Sequence, residues 1–257
     1  MRVVASTVYN WDLIWQYRSQ LLAAVWVAIK VALTALTISV VLGMLFAIWR
    51  MARPAISWPA ALYINVFRGM PALVSGIWVY FGWSLVVGIR LSVFQAAVIA
   101  LVLLYSAYLA EIFRAALTAV PRGQREAGNA LGMTRPYVFL EVVLPQAAKI
   151  AIPNVGSMLI GMVKDTSTFV VIGLVEVVYV TESVTATTYE PFVMYSAAAG
   201  LYVVVAFAID FIFRILERLI GGRPTGRVAL LITSRKRRRL EALAAATSSP
   251  AGDAVAI

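Results

Sequence analysis

The sequence predicts an all-α membrane protein with five transmembrane helices, and three observations carry the prediction. Hydrophobic residues are 62% of the 257-residue chain and charged residues 13%, where a soluble domain is about half apolar and a quarter charged. Mean hydropathy is +0.87. Apolar stretches near the roughly 20 residues that a spanning helix needs recur along the chain, and Lys and Arg gather in alternate short loops between them.

Residues 1–20 read as an N-terminal interfacial segment. Asn10, Asp12, Gln16 and Arg18 interrupt the continuous apolar core that a signal peptide needs. Tyr9 to Tyr17, with Trp11, Leu13, Ile14 and Trp15, suits a short amphipathic helix on the outer interface; a plain lead-in to the first span fits the pattern equally well. The transmembrane domain covers 21–220. Leu21 to Trp49 is the first span, with Lys30 near enough to one end to snorkel. Ala72 to Ile89 is shorter and carries Trp and Tyr suited to an interface. Val93 to Phe113 is strongly apolar until Glu111. Ala147 to Val163 is weaker, holding Lys149 and Pro153, and Tyr195 to Ile215 is apolar until Asp210. Phe169 to Val180 is apolar for about a dozen residues, a length that suits a re-entrant or interfacial helix.

The basic residues set the orientation. With the N-terminus outside and the C-terminus in the cytoplasm, Arg50 and Arg53, then Arg114, Arg122, Arg125 and Arg135, then Arg214, Arg218, Arg223 and Arg227 all fall inside. Arg2, Arg18 and Arg90 fall outside with Glu176, Glu182 and Glu190, of which Glu176 and Glu190 are expected near a binding partner or a cavity mouth. Four or six spans would strand at least one basic cluster outside. Residues 221–257 begin with Gly221, Gly222 and Pro224, which end the last helix, and contain the run Arg235, Lys236, Arg237, Arg238 and Arg239. This basic tail is expected to be disordered in the cytoplasm and to meet membrane lipid. Nucleic acid is not expected as a partner, because no aromatic residues interleave the charges.

The loop at about 121–145 concentrates the polar chemistry. Pro121 stops the third span, Gly123 allows a turn, Gln124 to Leu131 are good helix formers, and Gly132 stands at a C-cap. Ala127, Ala130 and Leu131 are expected on one side, with Arg125 and Glu126 more exposed. Small side chains let another surface approach closely. By pattern alone, a docking helix and an ordinary solvated loop both remain open.

The wording of this loop resembles a known family. Glu126-Ala127-Gly128, Gly132 and Val143-Leu144-Pro145 resemble the EAA loop of the membrane subunits of binding-protein-dependent ABC importers, with Gly128 where Ala is usual. Phe67-Arg68-Gly69-Met70-Pro71, Tyr108-Leu109-Ala110-Glu111-Ile112-Phe113-Arg114, Gly123-Gln124-Arg125-Glu126-Ala127, Leu144-Pro145-Gln146-Ala147 and Lys164-Asp165-Thr166-Ser167 are similar to the polar amino acid permease branch. The likeness runs from about Trp11 to Leu219. It implies the five-helix type I importer permease fold in a prokaryotic inner membrane. It implies a second permease subunit, two cytoplasmic ATPase subunits that bind the ATP and Mg, and an extracytoplasmic solute-binding protein. It also implies that Gly123, Arg125, Glu126, Ala127, Gly128 and Gly132 form the ATPase-coupling surface. The cargo is expected to be a polar amino acid, or another small zwitterion such as ectoine.

Ionisable residues inside membrane segments are costly and by default functional. Lys164 and Asp165 end the fourth span, followed by Thr166 and Ser167, in the manner of a broken helix at a transporter site. Lys164 suits a carboxylate and Asp165 an ammonium. The alternative is that both satisfy partners within the protein while Thr166 caps the next helix. Arg68 belongs either to the inner membrane face or to a gate, and Glu111 with Arg114 is expected to pair on one helical face.

Composition narrows the remaining classes. The chain has no Cys and no His, so no metal site or cofactor is expected in it, and no catalytic residue. No pair of carboxylates or nucleophile elbow replaces the missing groups, and none of the four lysines sits in a phosphate-cradling loop. An uncoupled channel or scaffold subunit stays possible, but leaves the Glu126 loop unexplained.

Overall fold

The computed structural model describes residues 9–221, with side chains through 220. The expectations for the basic tail fall outside the described residues. The chain divides into two units, Met1–Glu217 and Arg218–Ile257, and the packing below belongs to the first. Its elements are α1 (Asp12–Gln16), α2 (Arg18–Arg50), α3 (Pro54–Arg68), α4 (Ala72–Val87), α5 (Val93–Ala119), α6 (Arg122–Ala130), α7 (Arg135–Ile172), α8 (Val177–Thr188) and α9 (Pro191–Gly221). No strand occurs among the described residues.

Among the described residues, four helices are long and apolar enough to cross a membrane: α2, α5, α7 and α9. The expected second span lies in α4, which is bent by 107° from α3; the two pass the same test only as a pair. Sequence reasoning missed α3. Its Pro54 sits in the first turn, where a missing N–H costs nothing, but Pro59 inside it breaks the pattern that hydropathy detects. Tertiary contacts hold α3 instead. Tyr63 bonds Ser106 at 2.8 Å and the Leu103 carbonyl at 3.1 Å on α5, and its ring stacks on Phe46 of α2 at 4.3 Å.

The core lies around α5, the most enclosed of the four long helices. It starts with a capping box in which Ser92 Oγ accepts from the Gln95 N–H at 3.2 Å and Gln95 Oε1 accepts from the Ser92 N–H at 3.0 Å. Lipid gives little hydrophobic drive between helices, so close approach of small residues holds them together. Ala28, Ala32 and Ala35 of α2 and Ala96, Ala97 and Ala100 of α5 are all buried. Gly43 makes the tightest point, where a Cβ would lie 2.8 Å from Leu109 Cβ.

α7 begins at Arg135, ahead of the expected span of Ala147 to Val163. A π-turn over Phe139–Val143 precedes Pro145, whose missing N–H cannot complete an ordinary helical ladder. The expected helix over Phe169 to Val180 does not form as one piece. α7 tightens into a 3-10 turn over Thr166–Ile172, Gly173 reverses direction at φ 88°, and α8 starts afresh at Val177. Phe169 is buried and packs on Gly76 of α4, where a Cβ would sit 2.6 Å from its ring. Glu176, expected outside at a cavity mouth, is fully buried. Its carboxylate caps α8 by accepting from the Val178 and Tyr179 N–H groups at 2.7 and 3.1 Å, and it accepts from the Tyr202 hydroxyl of α9.

Candidate functional site

Two groups of residues are candidates for the functional site. The first is α6, between α5 and α7. Val120 ends α5, and Pro121 opens the turn into α6. Its C-terminus closes with a complete double hydrogen-bonded turn: the Gly132 N–H donates to the Asn129 carbonyl at 3.0 Å and the Met133 N–H to the Gly128 carbonyl at 3.1 Å. Gly132 takes φ 78°, a conformation that glycine adopts without penalty.

Gly128 is the buried residue of α6; a Cβ there would lie 2.8 Å from Val138 Cγ2. The other face presents Gly123, Glu126, Ala127 and Ala130 to solvent, and at its end Leu131 is 82% exposed. Neither carboxylate oxygen of Glu126 meets a cation among the described residues. Arg125 departs from its expected exposure. It is half-buried, and its Nη2 donates to the Leu117 carbonyl in the last turn of α5 at 2.9 Å. Gln124 accepts from Gln146 of α7 at 3.3 Å.

The second group is a polar line that runs from the half-buried Asp165 to the exposed Arg68. Asp165 Oδ2 accepts from the Tyr105 hydroxyl at 3.0 Å. The Tyr105 and Tyr108 rings lie 5.9 Å apart. Tyr108 donates to the Arg68 carbonyl at 2.9 Å, and the Arg68 guanidinium stands 5.8 Å from the Tyr108 ring centroid. Two expected residues from distant parts of the chain, Arg68 and Asp165, are thus joined through two tyrosines on one face of α5. Gly161 leaves room for this line, since a Cβ there would lie 2.7 Å from the Tyr105 hydroxyl.

The other expected path residues part company. Lys164 is exposed, while Asp165 is half-buried. Thr166 is buried and donates to the Val163 carbonyl at 2.8 Å; Ser167 donates to the Lys164 carbonyl at 2.6 Å and Thr168 to the Asp165 carbonyl at 2.8 Å. Three successive hydroxyls thus satisfy carbonyls where the α-helix gives way to the 3-10 turn. Thr166 supports the end of α7 and does not cap a new helix through its side chain. Glu111 and Arg114 pair as expected, at 2.7 Å.

Residues 39–222 match the family model described as "Binding-protein-dependent transport system inner membrane component". The chain belongs to this family. It is a multi-pass membrane permease of the binding-protein-dependent importers. It is 31% identical over 222 residues to the arginine ABC transporter permease protein ArtQ of Escherichia coli (strain K12), covering 77% of this chain and 93% of that protein. It is 32% identical over 212 residues to the glutamine transport system permease protein GlnP of the same strain, covering 82% and 97%. A crystal structure of an amino acid ABC transporter with histidines shares the fold with a TM-score of 0.76 at 32% identity, covering 82% of this chain and 99% of that one.

In the permease, Tyr105, which the sequence reading did not single out, and Tyr108, which it named only within a family-like motif, connect the expected Arg68 to the expected Asp165. The available signal was their spacing of three on a strongly apolar helix, which places both hydroxyls on one face.

Proposed function

We propose that this permease subunit moves a polar amino acid across a prokaryotic inner membrane and is driven by ATPase subunits docked on α6. The observation that carries the reading is the shape of α6. It is a short helix fixed at its C-terminal turn, buried at Gly128 and solvent-facing through Glu126, Ala127 and Leu131. An exposed apolar Leu131 beside a free carboxylate suits a partner groove with a basic rim. In this reading the partner ATPases bind ATP and Mg, a second permease subunit of the same or similar sequence completes the path, and an extracytoplasmic solute-binding protein delivers the cargo. Five crossings place the N-terminus outside and α6 in the cytoplasm.

The polar line supports the cargo class. Asp165 receives an ammonium, and Lys164 or Arg68 a carboxylate, with Ser167 and Thr166 shaping the turn between them. Acceptance of arginine or glutamine by relatives fits a polar amino acid rather than an apolar one.

Glu126→Lys in the assembled importer tests the docking. Substrate-stimulated ATP hydrolysis is expected to disappear while the permease still inserts in the membrane. Unchanged stimulation would remove Glu126 from the dock, and uptake by the permease without any ATPase would favour an uncoupled channel.

A further inference from the structure

A helical carbonyl accepts from the N–H four residues on. For Leu117 of α5 that residue is Pro121, which has no N–H. The helix thus ends with a carbonyl that its own backbone cannot satisfy. Arg125 Nη2 fills the vacancy from the next helix at 2.9 Å, and its positive charge lies at the negative end of the α5 dipole. Its Nε is buried without a partner among the described residues. The guanidinium is therefore committed inward, and α6 cannot offer its full fork to a protein outside.

We propose that Arg125 is a positioning residue that ties the docking helix to α5 through the carbonyl Pro121 leaves open, so that motion of α6 reaches the polar line. The proposal rests on the reading of α6 as the motor contact. Its neighbour Gln124 reaches the other span, meeting Gln146 of α7. Those two spans are joined again, about 18 Å along α5 from Leu117 at 1.5 Å per residue, by the Tyr105–Asp165 hydrogen bond. The contacts close a ring: α6, α5, Tyr105, Asp165, α7 and back through Gln146 and Gln124. A displaced α6 shears one side of this ring against the other, and the shear falls on the hydrogen bond to Asp165.

The test uses the complete importer in lipid nanodiscs, with Arg125→Met and Arg125→Lys. Arg125→Met is expected to retain co-purifying ATPase subunits and to lose about fivefold or more of the substrate-stimulated hydrolysis, the scale of one hydrogen bond in a two-state lever. Arg125→Lys, which keeps a charged donor, is expected to restore part of it. Because the chain has no Cys, spin labels at Ala115→Cys on α5 and Ala130→Cys on α6 report the strut directly. The distance distribution should be narrow with Arg125 and broad with Met. Loss of the ATPases in Arg125→Met would make Arg125 a motor contact and overturn the proposal, as would full stimulation or an unchanged distribution. A wild-type importer with no substrate-stimulated hydrolysis, but with a distribution that broadens in Arg125→Met, would instead sink the functional reading of α6 and leave the strut standing.

Discussion

Asp165 is held by a hydroxyl rather than by a cation, and that choice has consequences. A permanent Arg or Lys partner would neutralise it and occupy the place that the proposed function gives to an ammonium group. Tyr105 satisfies one oxygen at 3.0 Å while leaving the charge uncompensated, so the carboxylate stays available to a cationic ligand. Gly161 is part of the same arrangement, because any side chain there would push into the Tyr105 hydroxyl. Asp165→Asn should therefore lower uptake by roughly tenfold or more, the effect of removing a charged hydrogen-bond acceptor, while ATPase subunits remain bound. Tyr105→Phe should lower it less, since the charge survives. Uptake assays in proteoliposomes decide it: wild-type rates in Asp165→Asn would remove Asp165 from the path.

Among the elements, α6 shows how a local sequence departure is matched by its neighbour. The family resemblance leads one to expect Ala at position 128, and the chain has Gly. The reason is Val138, whose Cγ2 would stand 2.8 Å from an added Cβ. A valine fixed on the opening turn of α7 has no flexible end to move aside. Gly128→Ala should destabilise the purified permease by about 1–3 kcal/mol, the usual cost of overpacking. Val138→Ala on that background should recover most of it. Thermal unfolding in detergent measures both, and a Gly128→Ala variant as stable as wild type would break the explanation. The C-terminal end of α6 was legible because Gly132 supplies the positive φ that closes it, but its start was not: the turn expected at Gly123 lies inside a helix that opens directly after Pro121, at Arg122. The direction of Arg125 was not legible either, since it depends on a carbonyl in another helix. Nor was α3, whose stability comes from Tyr63 meeting Ser106 and Phe46 rather than from its own pattern. The stretch from Phe169 to Val180 misled for a related reason: hydropathy sees its apolar residues but not the reversal at Gly173 or the inward turn of Glu176. The Arg68 and Asp165 ends of the polar line could be picked out as costly charges, but the tyrosines between them look like ordinary core aromatics in sequence.

For the whole molecule, the topology turns on the α3–α4 pair crossing the membrane. α4 alone is about 24 Å long at 1.5 Å per residue, short of a hydrocarbon core of about 30 Å, and α3 meets it at 107°. If the pair did not cross, α2, α5, α7 and α9 would be the only crossings, and α2 and α5 would run in opposite directions. Arg50 and Arg53 at the end of α2 and Arg122, Arg125 and Arg135 around α6 would then lie on opposite sides of the membrane. That arrangement violates the tendency of basic loops to stay inside and separates α6 from any cytoplasmic motor when the N-terminus is outside. Five crossings put all of these arginines on one side and the Arg90 loop on the other. The α4 anatomy is compatible with a crossing, since its π-turn at Trp78–Gly82 and its exposed Leu85 and Val86 present an apolar surface to lipid up to Gly88. Topology reporters fused after Arg53 and after Arg90, which bracket the pair, should therefore give opposite signals, cytoplasmic for the first and extracytoplasmic for the second. The same signal from both would mean that the bent pair turns back on the side it came from, and the five-span arrangement would fall with it.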